Sequence, residues 1–197
     1  MREISPAVGV SVDDYVRMLP AEMKRIVDEI RQQKRDDTRP RPSVTLIDRS
    51  AIMTLPMRSK LLDAVARLVD ENYAGRSEMC LQFAGLLHRA MEHMKFPARP
   101  VVGTAIYFGA NGEEIWRWHH AWVRIGCEVI DGNVDCLAEN PLVPKAVSVE
   151  PYWGPIVEVP RDRRLREEHG AALPADVDVD DIWWPQLQQW IDREMLT

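Results

Sequence analysis

The chain has 197 residues, of which 46% are hydrophobic and 28% are charged, and its formal net charge is −6. This length supports one domain with a substantial hydrophobic core and is short for two domains. The chain lacks the basic footprint of a nucleic-acid-binding protein and the roughly 18 consecutive apolar residues of a membrane helix, so we expect neither nucleic acid nor a membrane as a partner.

Three cysteines, at positions 80, 127 and 136, form an odd and sparse set. The first residues, Met1–Pro6, lack the apolar segment of a secretory signal. Cysteines of a protein that is not exported are expected to stay reduced. The sequence therefore predicts a cytoplasmic protein with three free thiols and no disulfide framework.

The first 43 residues are predicted to form a helical extension. Ser11–Asp14 has the pattern of a helix N-cap followed by an acidic residue, and the short helix that it opens should stop near Pro20. Apolar residues at helical spacing predict a second helix from Pro20 to about Arg35. The polar segment 36–43 is predicted to be a loop.

Two further helices are predicted before the chain changes character. A short strand is predicted over Val44–Ile47, followed by a helix from about Arg58 to Asn72. The break at Gly75–Ser77 leads into another helix, from about Ser77 to Met94. Each helix has an apolar stripe at helical spacing, as expected for helices that pack on a core.

A run of strands is predicted next. Val101–Phe108 and Ile115–Ile125 are rich in β-branched and aromatic residues. Gly126-Cys127 suits a two-residue hairpin turn with glycine first, and Glu128–Asp131 returns along the hairpin. Helices followed by such a sheet indicate an α+β fold, with the helices on one side of an antiparallel sheet.

The remaining residues, 133–197, are predicted to be a loop-rich tail that borders a cleft. They are proline-rich and irregular apart from a helix over about Asp180–Met195. The tryptophans of that helix are expected to dock on the domain's own core. The run Arg161–Glu168 is predicted to be a solvated charged face, and Arg99 is expected to make a structural ion pair.

Cys80 lies in the first turn of a predicted helix with a strong apolar stripe. The unpaired N–H groups of a helix N-terminus favour a thiolate, and such surroundings lower the pKa of a cysteine from about 8.5 to roughly 3.5–7.5. The same N–H groups could bind an oxyanion. Judged alone, Cys80 is better explained as a small buried residue on the core face of the helix than as a nucleophile.

His120 and Asp131 are placed on one face of the predicted hairpin. Because side chains alternate along a strand, His120 shares its face with Trp122, and His119 points the other way. With Gly126-Cys127 as the turn, Trp122 pairs with Asp131, which puts the carboxylate diagonal to His120. A turn shifted by one residue puts Asp131 directly opposite His120, so both even registers favour a His–Asp pair.

Two competing interpretations involve neighbouring residues. Asp135 has the same strand parity, but it lies past Gly132-Asn133, where the strand should end. His119, Cys127 and Cys136 could suggest zinc, but the spacing of the two cysteines fits no standard zinc pattern. We therefore expect no metal and favour a thiol nucleophile, a base and an orienting carboxylate.

Four segments resemble, in order, the core of the transglutaminase-like superfamily, which is related to papain. They are Gly75–Ala84 around Cys80, Phe96–Gly103 with its Pro-Ala-Arg sequence, His120–Val123 with the sequence His-Ala-Trp-Val, and Val129–Gly132. Together they span less than a third of the chain, from Gly75 to Gly132. The chain lacks the extra domains and calcium sites of the animal crosslinking enzymes of that superfamily.

The resemblance implies a papain-like fold, no cofactor, and a triad in which Cys80 is the nucleophile, His120 the base and Asp131 the orienter. It implies a peptidase or amidase that cleaves a peptide or protein amide through a thioester. An acyltransferase that passes the acyl group to an amine has the same triad, and leader-peptide proteases of peptide natural-product pathways share a similar pattern. A non-catalytic peptide- or protein-binding module on this fold is the alternative from another class.

The resemblance does not place every residue of such a site. The family's second oxyanion donor is an aromatic or amide side chain, and Tyr73 and Gln82 are the candidates for it here. Trp118 is a candidate for the wall of the substrate groove, and Trp122 is expected to shield the His–Asp pair.

Overall fold

The computed structural model describes residues 45–73, 76, 79–140 and 142–196, together with the helical residues Ala21 and Arg25. Apart from these two, the elements predicted over residues 11–43 lie outside the described residues. The helices are α1 (Leu55–Tyr73), α2 (Cys80–His93) and α3 (Trp184–Glu194), and the strands are β1 (Ile47–Asp48), β2 (Ala98–Phe108), β3 (Glu114–Ile125), β4 (Glu128–Asp131), β5 (Tyr152–Pro155) and β6 (Arg163–Glu167). These described elements make an α+β fold.

Helices α1 and α2 follow the apolar stripes of the sequence. α1 begins at Leu55, before the predicted Arg58, and Pro56 occupies its first turn, where a backbone N–H is not needed. α2 begins at Cys80 rather than at the predicted Ser77, so the cysteine opens the helix. Their stripes are buried: Leu61, Leu62, Val65 and Val69 in α1, and Phe83, Ala84, Leu87 and Met91 in α2.

The sheet is antiparallel, as predicted, in all described pairs but one, and that one pair makes it mixed. Its strand order is β1-β5-β4-β3-β2-β6, and the β1–β5 pair is parallel while the other pairs are antiparallel. In the parallel pair, Ile47 lies opposite Tyr152. A two-residue strand joined to a distant partner carries no hairpin signal, so the sequence gives no indication of its direction.

The central hairpin has the predicted register. Ile125 pairs with Glu128 across the Gly126-Cys127 turn, and Val123 pairs with Ile130. Gly126 has φ 57°, a value that favours glycine at this position of a two-residue turn. One step further along the ladder, Asp131 lies opposite Trp122, as the sequence predicts.

Two strands after residue 140 complete the sheet, where the sequence predicted a loop-rich tail. β5 pairs with β4, and β6 pairs with the far side of β2. The expectation of a solvated charged face at Arg161–Glu168 holds for the exposed residues Arg161, Arg164, Arg166 and Glu168 but not for Arg163, which is only 4% exposed. Charged residues are poor strand formers, so the alternation of buried Arg163 with exposed Arg164 and Arg166 was not recognised as a strand.

Apolar side chains pack on both faces of the sheet. On one face, α2 lies against β2 and β3, and α1 and α3 pack against α2. On the other face, Val143 and Val147 from the segment after β4 pack with Tyr107. The tryptophans near the C-terminus dock on the first of these cores, as predicted: Trp183 is buried in it, and Trp184 and Trp190 pack against it.

Candidate active site

The packing of α2 fixes the position of Cys80. The apolar stripe that follows the cysteine holds α2 against the sheet, and Cys80 itself is 7% exposed. Met79, which precedes the helix, provides no side-chain hydrogen bond to its N-terminus. The thiol therefore lies at the positive end of the helix, next to N–H groups that the Met79 side chain does not cap.

His120 lies on β3 and faces away from α1 and α3. It is 1% exposed, shares its face with buried Trp122 at a ring separation of 6.0 Å, and leaves its neighbour His119 exposed on the opposite face. β4 ends at Asp131, opposite Trp122. His120 therefore lies on a part of β3 that extends beyond the end of β4. The backbone of Ala121 interacts there with the sulfur of Cys80, which places the start of α2 beside the base.

The strand residue opposite His120 has to be glycine. Gly103 pairs with His120, and a Cβ at this position would lie 2.1 Å from the carbonyl oxygen of Arg166 and 2.9 Å from the Trp122 ring. The missing side chain therefore lets β6 and Trp122 close in around the histidine.

Asp131 and His120 form a buried hydrogen-bonded pair. Nε2 of His120 donates to Oδ1 of Asp131 at 2.7 Å, and the two side chains are 1% and 0% exposed. Nδ1 of His120 is buried and makes no hydrogen bond of ordinary geometry. It is thus the ring nitrogen left for the thiol, and its contact with Cys80 is looser than the bond to Asp131, as is common in thiol sites without a bound substrate.

The second oxygen of Asp131 is held by Arg163, which the sequence analysis did not identify. Nη1 of Arg163 donates to Oδ2 of Asp131 at 2.9 Å, and both side chains are 0% exposed. The guanidinium also donates to the Glu150 carbonyl at 2.6 Å and to Asp162 at 2.9 Å. A buried carboxylate with one histidine partner needs a second hydrogen-bond donor. This requirement predicts a basic side chain behind Asp131, and it was the only indication of Arg163 in the sequence.

The pKa values of the cysteine and histidine are displaced toward an ion pair. Burial opposes ionisation of Cys80, but its interaction with the His120 side chain and with the backbone N–H groups of Ala121 and Leu81 holds the pKa of the thiol below 9.0. Burial lowers the pKa of His120, yet Asp131 and Cys80 raise it overall, well above 6.5. The site therefore favours thiolate and imidazolium.

The carboxylate is held ionised in the same way. Burial would raise the pKa of Asp131, but the charges and hydrogen bonds of His120 and Arg163 keep it below 3.8. A carboxylate between two cations can keep one imidazole tautomer in place and stabilise the imidazolium.

The other predicted site residues have different positions. Gln82 lies on another face of α2 and donates to Asp176 at 3.0 Å, so it is engaged away from the thiol. Tyr73 is the last residue of α1, and its side chain lies outside the described part of the chain. Trp118 is half-buried on the face of His120 and stacks on Trp116 with ring centroids 4.9 Å apart.

The competing residues lie elsewhere. Asp135 binds Arg76 through both carboxylate oxygens, one of them at 2.7 Å, so it is not the partner of His120. His119 and Cys127 are exposed, while Cys136 is buried and bonded to the Asn133 carbonyl. Within residues 45–140 and 142–196, as far as they are described, no group of three or more potential ligands could hold a metal ion.

Comparison of the chain with protein-family models, curated proteins and solved structures gave no match. None of the helices in the described part combines the length and apolar character needed to cross a lipid bilayer. Arg99, expected to make a structural ion pair, binds Glu167 through two hydrogen bonds of 2.6 and 2.8 Å.

Proposed function

We propose that the chain is a cysteine-dependent amide-bond hydrolase of the papain-like, transglutaminase-related type, acting on a peptide or protein. The observation that carries the proposal is the geometry of the buried set: Cys80 opens α2 beside His120, and Nε2 of His120 donates to Asp131 at 2.7 Å. The pKa values of Cys80 and His120 are displaced toward a thiolate–imidazolium pair, and perturbed pKa values concentrate at functional sites. A buried structural cysteine has no need of a charged imidazole beside it.

In the first half of the reaction, the Cys80 thiolate attacks the amide carbonyl carbon. A carbon–sulfur bond forms, and the N–H groups at the start of α2 stabilise the negative oxygen. The imidazolium of His120 then gives its proton to the amide nitrogen, the carbon–nitrogen bond breaks, and the amine leaves. The products are a thioester on Cys80 and a neutral imidazole.

In the second half, His120 takes a proton from water, and the hydroxide attacks the thioester carbonyl. The carbon–sulfur bond breaks, the carboxylic acid leaves, and the thiolate–imidazolium pair is restored. Asp131 accepts the hydrogen bond from Nε2 throughout, so it holds Nδ1 toward the reacting atoms and stabilises the charge on the ring. We place this activity in a reducing, cytoplasmic compartment, which keeps Cys80 free.

The proposal is tested by trapping the thioester. The protein is mixed with short peptides that have blocked termini and cover every side-chain type, then quenched in acid and weighed as an intact protein. We expect an acyl adduct on Cys80 that hydroxylamine removes, together with new peptide carboxyl ends. The Cys80→Ala variant should form neither, while Cys136→Ala, which removes another buried thiol, should form both.

Added methylamine separates hydrolysis from acyl transfer. Hydrolysis predicts free carboxyl ends in the presence of the amine, whereas a transferase would produce methylamides. Peptide binding without an adduct or cleavage, at a Cys80 that reacts no faster than a free thiol, would favour the non-catalytic binding module and overturn the proposal.

A further inference from the structure

We infer that Arg163 is a positioning residue of the proposed thiol site, and that it supplies the buried positive charge that lets Cys80 and Asp131 be ionised together. This inference rests on the proposed function and adds to the triad a fourth member, which acts through Asp131 and does not touch the substrate. The inference also gives a role to β6, whose sequence is typical of a charged surface segment.

The geometry shows that Arg163 is itself held in place. Its side chain is 0% exposed, and it donates to the Asp131 carboxylate, to the Glu150 carbonyl and to Asp162, at 2.9, 2.6 and 2.9 Å. The planar guanidinium can bind these acceptors in fixed directions at once, which an ammonium group cannot do. With Oδ2 held by Arg163, Oδ1 of Asp131 is directed toward Nε2 of His120.

The charges of the buried set determine what Arg163 contributes. In the reactive state, the thiolate and Asp131 are negative, and the imidazolium and Arg163 are positive, so the four charges cancel. Without Arg163 the set would hold one uncompensated negative charge away from water, which is costly. Of the two anions, the thiolate is the more basic, so it would be the first to take up a proton.

Other titratable groups around the set do not supply the missing charge. Tyr107 of β2 is buried with an unbonded hydroxyl, and burial raises its pKa, so it stays neutral. Cys136 is buried and bonded to a carbonyl oxygen. Asp162 is negative and binds Arg163 from its partly exposed side. Among the described residues that face the carboxylate and the thiol, His120 and Arg163 are the cations.

The experiment follows the alkylation of Cys80 by iodoacetamide from pH 4 to pH 10, with each cysteine quantified by peptide mapping. The acid limb is the part of the plot of Cys80 alkylation rate against pH in which the rate rises from its acidic minimum. In Arg163→Met, this limb should shift to higher pH by roughly one unit, because the variant removes a positive charge that stabilises the buried anions. Arg163→Lys restores the charge without the planar fork and should give a smaller shift. Arg166→Met removes an exposed arginine from the same strand and should leave the profile unchanged.

The outcomes separate this inference from the function on which it rests. A reactive wild-type Cys80 and an unshifted profile in folded Arg163→Met would overturn the role of Arg163 and leave the thiol site standing. An ordinary thiol profile in the wild type would overturn both. If circular dichroism shows that Arg163→Met does not fold, Arg163→Gln decides, because it also removes the charge but keeps a hydrogen-bond donor for the carboxylate: a shift of the acid limb to higher pH supports the role, and a wild-type profile rejects it.

Discussion

Replacing Asp131 with asparagine removes the charge behind His120 while keeping the shape of the side chain. The hydrogen bond that it accepts from His120 is 2.7 Å long and fully buried. Two unit charges about 4 Å apart at an effective dielectric constant of about 20 interact by roughly 4 kcal/mol, which corresponds to about three factors of ten in an equilibrium. This factor is the upper limit for the decrease in the equilibrium constant of thiolate–imidazolium formation in Asp131→Asn.

The asparagine oxygen can still accept the hydrogen bond from Nε2, so part of the orientation survives. Papain-like enzymes function with asparagine in this role, whereas the same change in a serine-protease triad costs about 10⁴-fold. We therefore expect the alkylation rate of Cys80 at pH 6 to fall by about 10- to 1,000-fold. Folding should also be less stable, by roughly 3–5 kcal/mol, because Arg163 loses the partner of its buried charge.

The assay compares iodoacetamide alkylation of Cys80 in the wild type, Asp131→Asn and Asp135→Asn, with thermal unfolding measured in parallel. Asp135 binds Arg76 and not His120, so its variant should stay close to the wild-type rate. An unchanged rate in folded Asp131→Asn would refute the role given to the carboxylate. If only Asp135→Asn greatly reduced the alkylation rate, Asp135 would be the partner of His120, and the hairpin register that assigns this role to Asp131 would be refuted.

Two further predictions concern His120 and Gly103. His120→Ala should abolish amide hydrolysis and the enhanced reactivity of Cys80. His119→Ala, on the exposed face of β3, should keep most of both. Equal losses in the two variants would contradict the assignment of the two histidines to opposite faces of β3. Gly103→Ala should destabilise the fold by about 1–3 kcal/mol in denaturant unfolding, because the added methyl group would overlap Arg166 and Trp122. Gly85→Ala, where the nearest atom lies 3.7 Å away in mid-helix, should instead be neutral or stabilising by up to about 1 kcal/mol, and a similar loss in both variants would show that packing at Gly103 is not the cause.

The part of the site that could be predicted from sequence lies within one hairpin. The two-residue turn at Gly126-Cys127 fixes which residues share a face, since a strand has a period of two. His120 and Asp131 could therefore be placed together from local pattern alone. Cys80 was placed by the apolar stripe of α2 and by the resemblance of its surrounding sequence, because no local rule says which sheet residue a helix N-terminus will meet.

Arg163 could not be placed in this way. It lies 32 positions from Asp131 along the chain, and its strand β6 pairs with β2, which is distant from it in the sequence. Its strand is made largely of charged residues, which normally indicate solvent exposure. Arg163 is the buried charged residue of this strand, and only its partners in the folded state distinguish it from its exposed neighbours.

The edge strand β1 shows the same limit for the fold. Ile47 and Asp48 pair in parallel with residues more than a hundred positions later, and parallel pairing needs a long connection that leaves no signature near the strand. Helices and hairpins were predictable because their signals are local. The mixed character of the sheet depends on a long-range contact, so the sequence predicted an antiparallel one.

The pH dependence of Cys80 alkylation in the unmodified protein tests the central claim most directly, because the claim is that this thiol is paired with a charged imidazole. The thiolate is the reactive form, and His120 and the nearby N–H groups hold the pKa of Cys80 below 9.0. We therefore predict that the alkylation rate rises with pH around a midpoint below pH 9.0 and changes again only when the imidazolium loses its proton, well above pH 6.5. A single rise centred at or above pH 9.0, like that of a free thiol, or a Cys80 that does not react across the whole range, would contradict the account.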